Sequence, residues 1–168
     1  MFSIFYPDRY YESTYKIDFQ KEYESGIRGL IFDIDNTLVG HDADADDRAI
    51  EFFNNLKQIG FKVCLLSNNQ KPRVERFNEE IGAYYIYNAK KPSRKNYIKA
   101  MDMMKTDKSN TLFIGDQVFT DVFGARRTGI KSYLVKPIGE KEEIQIVLKR
   151  YLEKIVLFFY KKKNKIYK

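Results

Sequence analysis

Asp33 and Asp35 stand two residues apart at the end of the apolar run Gly29-Leu30-Ile31-Phe32, and Asn36, Thr37, Leu38 and Val39 follow. The run reads as a buried strand that ends at Asp33. Side chains on a strand repeat every two residues, so both carboxylates face one side if the strand simply continues. Carboxylates at the carboxyl end of a parallel strand lie where open α/β sheets take their ligands. One of them can attack as a nucleophile while the other, in a different environment, moves protons. Taking two like charges out of water is costly unless a cation compensates, so the pair implies a bound metal. The plainer alternative is a strand that frays into a loop with solvated aspartates. The rest of the chain decides between them.

Three further segments offer matching groups. Phe61-Lys62-Val63-Cys64-Leu65-Leu66 is a second strand candidate ending in Ser67-Asn68-Asn69, where a hydroxyl and backbone N–H groups can receive a phosphoryl oxygen. Lys90-Lys91-Pro92 precedes a helix beginning near Ser93 and offers an ammonium for phosphate charge. Thr111-Leu112-Phe113-Ile114-Gly115 is another buried strand candidate; Asp116 follows it directly and Asp121 comes five residues later. Gly115 permits a tight turn, and Asp116 can supply a second carboxylate to a metal.

In this order the segments resemble the haloacid dehalogenase-like (HAD) superfamily of phosphohydrolases. The four motifs match as Asp33 through Thr37, Ser67, Lys91 before Pro92, and Gly115-Asp116 through Asp121, covering roughly residues 26–135. More narrowly, Asp33-Ile-Asp-Asn-Thr-Leu-Val, Ser67-Asn-Asn, Ala89-Lys-Lys-Pro and Gly115-Asp-Gln-Val-Phe-Thr-Asp look like the YqeG group (subfamily IIIA). That group is similar to the mitochondrial phosphatidylglycerophosphate phosphatase. The resemblance implies that Asp33 carries a transient aspartyl phosphate and that Asp35 protonates the leaving oxygen and then activates water. It implies Mg²⁺ on Asp33, the backbone carbonyl of Asp35, and Asp116. Ser67 and Lys91 would hold phosphoryl oxygens with Asn68 as helper, while Asp121 would either stand behind the metal, reaching it through water, or orient Lys91. The Thr37 hydroxyl reads either as support for the motif loop or as a plain cap. Dehalogenases of the superfamily lack the second aspartate, so Asp35 favours phosphate over carbon–halogen chemistry. Of the adjacent lysines, the pattern favours Lys91 and leaves Lys90 as a solvated neighbour. The activity implied is a Mg²⁺-dependent phosphomonoester hydrolase, with phosphatidylglycerophosphate as the suggested substrate. The alternatives are a phosphatase of a soluble phosphometabolite and a non-catalytic scaffold on the same fold.

The elements that must position these residues alternate along the chain. Strands are expected near 29–34, 61–66, 83–87, 111–115 and 130–135, and helices near 47–58, 72–81, 93–105 and 119–127. Short connections between them predict an α/β fold with a parallel, doubly wound sheet. The resemblance implies a three-layer Rossmann-like order 5-4-1-2-3 without a cap domain. An open site of that kind suits a large or membrane-presented substrate. With 168 residues and 43% hydrophobic content, the chain is read as one domain. Its core is about 26–135, with a tyrosine-rich segment before it, whose aromatics either pack over the sheet edge or approach a membrane, and a helix and basic tail over 141–168.

Other groups carry less. His41 through Asp47 is aspartate-rich but fails the EF-hand pattern, and its last aspartates are expected to cap the next helix. His41 reads as loop surface. Cys64 reads as a core residue, and a single cysteine excludes an internal disulfide and fits a reducing, cytoplasmic setting. The net charge of +7 draws heavily on lysines after Tyr160. Ile144, Val147, Leu148, Tyr151, Leu152 and Ile155 are expected to face inward on the last helix. The apolar run Ile155–Tyr160 is far short of the ~20 residues a transmembrane helix needs. Beside its lysines it can instead sit on an anionic membrane surface, as a peripheral protein would, or belong to a final helix that packs on the sheet and ends in a frayed basic tail. No leader-like stretch opens the sequence, and no recognition motif or basic–aromatic platform points to nucleic acid.

Overall fold

A computed structural model describes residues 3–139 and 144–163, the side chains of 144–148 excepted. Six parallel strands form one sheet: β1 (Arg9–Tyr11), β2 (Gly29–Phe32), β3 (Lys62–Leu66), β4 (Tyr84–Ile86), β5 (Thr111–Gly115) and β6 (Lys131–Val135). Their order is β1-β6-β5-β2-β3-β4. The five expected strands stand in the expected order, and β1 is an addition. The tyrosine-rich segment supplies it, pairing Tyr10 with Leu134 and Tyr11 with Val135. A three-residue strand with no alternating pattern leaves too little signal to separate it from loop.

Both faces of the sheet are apolar because both are covered. Leu30, Phe32, Val63, Leu65, Leu112 and Ile114 pack with α1 (Phe19–Glu24), α2 (Asp47–Ile59) and α3 (Lys71–Asn78). The alternate residues Ile31, Cys64, Leu66 and Phe113 face the other way, onto α4 (Arg94–Met104) and α5 (Phe123–Thr128). Cys64 is a core residue, as expected, and its burial pushes the thiol pKa up to about 12.

Asp46 caps α2, its carboxylate accepting the Ala49 N–H at 2.8 Å. The helix expected near 119–127 instead begins as a π-helical turn, Val118–Val122, before α5. Among the described residues, no further domain interrupts the connections from β2 to α2 or from β3 to α3, so the fold is capless at both points.

The last helix, α6 (Ile144–Lys163), overturns one expectation. Tyr151, Leu152 and Ile155 point outward, while Glu153, Val156 and Tyr160 are buried. Ile144, Val147 and Leu148 lie outside the described side chains. The inward face is chosen by polar partners on the neighbouring loop, which Glu153 and Arg150 reach and which a count of apolar residues cannot see. Among the described residues, no helix is long and apolar enough to cross a membrane.

Candidate active site

Because the strands are parallel and in register, β2, β3 and β5 deliver their carboxyl ends to one edge. The Asp33 N–H bonds the Ile114 carbonyl at 3.0 Å, which brings the first motif against the end of β5. The chain then leaves the sheet. Asn36 turns it with φ of 63°, a left-handed conformation that asparagine tolerates better than most side chains. Asp33 and Asp35 therefore do not continue one strand. Asp33 faces a buried cage, whereas the Asp35 carboxylate reaches sideways to Arg73 at 3.0 Å and to the Asp42 N–H at 2.8 Å.

Lys91 is the hinge of the cage. Its ammonium lies 2.6 Å from Asp33 Oδ1 and 2.8 Å from Asp121 Oδ1, and all three side chains are buried. The neighbouring Lys90 is exposed. Burial pulls the Lys91 pKa down, but Asp121 and Asp33 outweigh it and raise it, so the ammonium stays charged. The Lys91–Pro92 peptide is cis, and Asn68 brackets Lys91 by accepting its N–H at 2.7 Å and donating to its carbonyl at 3.3 Å. Asp121 fits only because residue 115 is glycine: a Cβ there would collide with the Asp121 carboxylate. The π-turn carries Asp121 inward, fastened by Tyr97, whose hydroxyl donates to the Thr120 carbonyl at 2.9 Å.

Asp33, Asp116 and Asp121 each offer a carboxylate oxygen within 4.8 Å of the others. Two cations meet these three anions. Lys91 serves Asp33 and Asp121, and Arg150 of α6 pairs with Asp116 while donating to its backbone carbonyl at 2.6 Å. The surplus is visible in the acids. Burial, reinforced by Asp121 and Asp35 and opposed by Lys91, pushes Asp33 up to about 6. Burial together with Asp33 and Asp121 holds Asp116 well above the usual carboxylate range, despite Arg150. Clustered hard oxygen donors with negative charge in excess suit a divalent cation.

Above the cage lies a cleft of about 230 Å³ lined by Asp33, Asp35, Ser67, Asn68, Lys91 and His41, among others. Ser67 is buried and its hydroxyl accepts the Asn69 N–H at 3.0 Å. Thr37 donates to Asp116 Oδ1 at 3.2 Å. His41, read from sequence as loop surface, borders this cleft.

Residues 40–129 match the family described as haloacid dehalogenase-like hydrolase. The chain belongs to that family. It is 37% identical over 164 residues to the "Probable phosphatase YqeG" of Bacillus subtilis, spanning 97% of this chain and 95% of the relative. Among solved structures it is similar to a HAD-superfamily hydrolase from Ehrlichia chaffeensis, with TM-score 0.54, 14% identity and coverage of 76% of this chain and 97% of that one. The 3-deoxy-D-manno-octulosonate 8-phosphate phosphatase of Moraxella catarrhalis, solved with magnesium, phosphate and KDO, gives TM-score 0.52 at 17% identity over 68% of this chain and 72% of that one. At such identities these structures speak for the fold. The family and the near-full-length relative make the chain a HAD-type phosphatase, acting on a phosphorylated substrate.

Sequence reasoning did not find Arg150, Arg73 or Tyr97. Arg150 is an arginine in a charged helix, Arg73 one of several basic residues in α3, and Tyr97 one of 13 tyrosines. Only the fold brings them to the site.

Proposed function

We propose that this phosphatase hydrolyses phosphomonoesters through an aspartyl phosphate on Asp33, using Mg²⁺. The observation that carries the reading is the buried cage in which Asp33, Asp116 and Asp121 outnumber Lys91 and Arg150. The groups assigned to the ion are Asp33, Asp116 and the backbone carbonyl of Asp35. When bound, the ion supplies neutralising charge at a phosphoryl oxygen, the main need of phosphoryl transfer.

The chain's own groups do the rest. Asp33 attacks phosphorus, and the bond to the leaving oxygen breaks as Asp35 gives it a proton. Asp35 then takes a proton from the water that hydrolyses the acyl phosphate. Arg73 and the Asp42 N–H hold Asp35 Oδ1; Oδ2, met by Asn69 only at 3.5 Å, is the oxygen assigned to proton transfer. Ser67 and Lys91 receive phosphoryl oxygens, with Asn68 fixing the lysine loop. Asp121 steadies Lys91, and Thr37 orients Asp116.

The capless cleft supports a substrate that is large or presented from a surface, and phosphatidylglycerophosphate is the leading candidate. A soluble phosphometabolite is the competitor. The added strand β1 and the packing of α6 on the site loop support reading residues 1–168 as one domain. Peripheral association with a membrane follows from the same substrate.

The test is phosphate release, with and without Mg²⁺, from phosphatidylglycerophosphate in mixed micelles beside a panel of soluble phosphomonoesters, for wild type and Asp33→Asn. Mg²⁺-dependent lipid turnover lost in the variant is the expected result. Turnover of soluble esters alone would remove the lipid substrate and keep the mechanism. Turnover that survives in Asp33→Asn would remove the aspartyl phosphate.

A further inference from the structure

The two faces of α6 do different things. The inner face holds the site loop: the Val118 N–H donates to Glu153 at 2.8 Å, and Arg150 pairs with both Glu153 and Asp116. Val156 and Tyr160 continue that face into the fold, Tyr160 against Tyr6. The outer face is apolar and wet. Tyr151 is 65% exposed, Leu152 55%, Ile155 55% and Phe158 63%, with Phe159 stacked edge-on against Phe158. Residues three and four apart share a helix face, so these side chains form one stripe.

Lysines border the stripe. Helical spacing places Lys154 and Lys161 along one edge and Lys149 and Lys163 along the other, with Lys162 at its end. All five are exposed, and Lys161 and Lys163 rest their ammonium groups over the rings of Tyr10 and Tyr6, from which they must swing to meet headgroups. The described side chains of α6 include a single acid, Glu153, and it is buried on the inner face. An apolar stripe inside a frame of positive charge is complementary to a surface that is apolar beneath and negative above. A second copy of this chain does not fit, since pairing stripe to stripe would bring lysine edges together.

We propose that the outer face of α6 docks on an anionic membrane surface, with Leu152, Ile155 and Phe158 entering the acyl boundary and the lysines meeting the headgroups. The inner face of the same helix touches Asp116, so a docked α6 holds the metal cage about one helix diameter, ~10 Å, from the lipid-facing stripe. The proposal rests on the phosphatase reading only for its purpose, delivery of a membrane-presented phosphomonoester. Docking itself is observable without turnover.

The experiment is co-flotation of the full chain with equimolar phosphatidylglycerol and phosphatidylcholine vesicles, and with phosphatidylcholine alone. The double variant Ile155→Asp, Phe158→Asp and the triple variant Lys161→Gln, Lys162→Gln, Lys163→Gln run alongside. Far-UV circular dichroism and hydrolysis of a soluble phosphomonoester serve as controls for folding. The wild type should float with the anionic vesicles alone and release as salt rises. The double variant should lose about tenfold or more in partitioning. Each lysine removed should cost roughly fivefold. Absence of flotation, or flotation indifferent to the double variant, would overturn the proposal. Equal flotation with neutral vesicles would overturn its electrostatic half. A dimer that sediments in wild type and dissociates in the double variant would assign the face to a second copy instead. Protein that floats but releases no phosphate counts against the catalytic reading and leaves this surface standing; protein that hydrolyses soluble esters but never floats does the reverse.

Discussion

Two clusters of aspartates and basic side chains lie close together in this protein, and they are built on opposite principles. In the cage, Asp33, Asp116, Asp121 and Lys91 are buried, half-buried Arg150 reaches in from α6, and anions exceed cations. In the loop that follows the first motif, Asp42 and Asp44 are exposed and meet Arg76, at 2.9 Å and 2.5 Å, with Arg73 also near Asp42. The loop cluster is matched and, apart from the buried Arg73, lies in water, where ion pairs are screened and contribute little. The cage is mismatched and dry, where every unpaired charge is costly. A fold keeps such a mismatch when a ligand resolves it. Aspartate density alone does not mark a site; buried imbalance does.

The sharpest way to break that contrast is to neutralise one aspartate in each cluster. Asp33→Asn should abolish phosphate release, a loss on the order of 10⁴-fold or more for a covalent nucleophile. Asp44→Asn should leave release within about twofold, as expected of an exposed, screened pair remote from the chemistry. Equal losses in the two variants, measured as kcat/KM on one soluble ester, would erase the distinction.

The same substitution should strengthen the metal-free fold. Asp33 has its pKa raised from 3.8 to about 6, so the native state holds its proton more tightly than the unfolded chain does. Its contribution is present in full below about pH 4 and is lost as pH rises through about 6. Above that window the ionised carboxylate weighs on the fold by about 2–3 kcal/mol. The asparagine amide has no charge to lose or gain, so Asp33→Asn should be more stable than wild type at about pH 7.5 without metal, and the gap should close toward about pH 4. Urea unfolding at both pH values checks this, and Mg²⁺ should stabilise wild type far more than the variant.

How much of this was legible beforehand follows from range. The strand that precedes Asp33 and the strand ends at Ser67 and Asp116 are local: they rest on apolar runs, whereas the choice of Lys91 over Lys90 rests on the family pattern of a lysine directly before proline. So the five central strands matched expectation, and their order matched what the family resemblance implied. What failed needed contacts across the fold. β1 exists because Asp8, Arg9 and the tyrosines reach β6 and its surroundings, the Ser132 N–H donating to Asp8 at 2.8 Å and Arg9 lying 3.7 Å from Glu22. The tyrosine-rich segment also buttresses the first motif, with Thr14 and Tyr15 donating at 2.7 Å to the carbonyls of Thr37 and Leu38. The inward face of α6 was misjudged for the same reason. Glu153 is buried because a backbone N–H of the π-turn needs an acceptor, and that turn lies far away in sequence.

Arg150 offers a smaller effect with a clear signature. It spans from α6 to the Asp116 carboxylate, and its removal leaves a fully buried acid with only Thr37 as a side-chain hydrogen-bond donor among the described partners. Arg150→Ala should cost the metal-free protein roughly 3 kcal/mol, the low end of the ~3–5 kcal/mol scale for breaking a buried pair from one side, because the guanidinium is partly exposed. Saturating Mg²⁺ should recover most of that loss, because the ion supplies the charge the guanidinium provided. A cost unchanged by Mg²⁺ would make Arg150 a packing residue of α6 and detach it from the cage.

The smallest effect belongs to the loop, and it carries the comparison's other half. Arg76→Ala removes a partner of both Asp42 and Asp44, yet all three side chains are well exposed and water can take the arginine's place. The melting temperature should fall by no more than about 2 °C, and less at high salt, where the pairing is screened already. A larger fall would mean that Arg76 also organises Asp42, whose N–H holds Asp35 at 2.8 Å. In that event kcat should drop with KM nearly unchanged, since the role proposed for Asp35 is to move protons and not to hold the phosphoryl group. The loop would then serve as the outer wall of the site, its matched charges setting the position of Asp35, the carboxylate proposed to trade a proton.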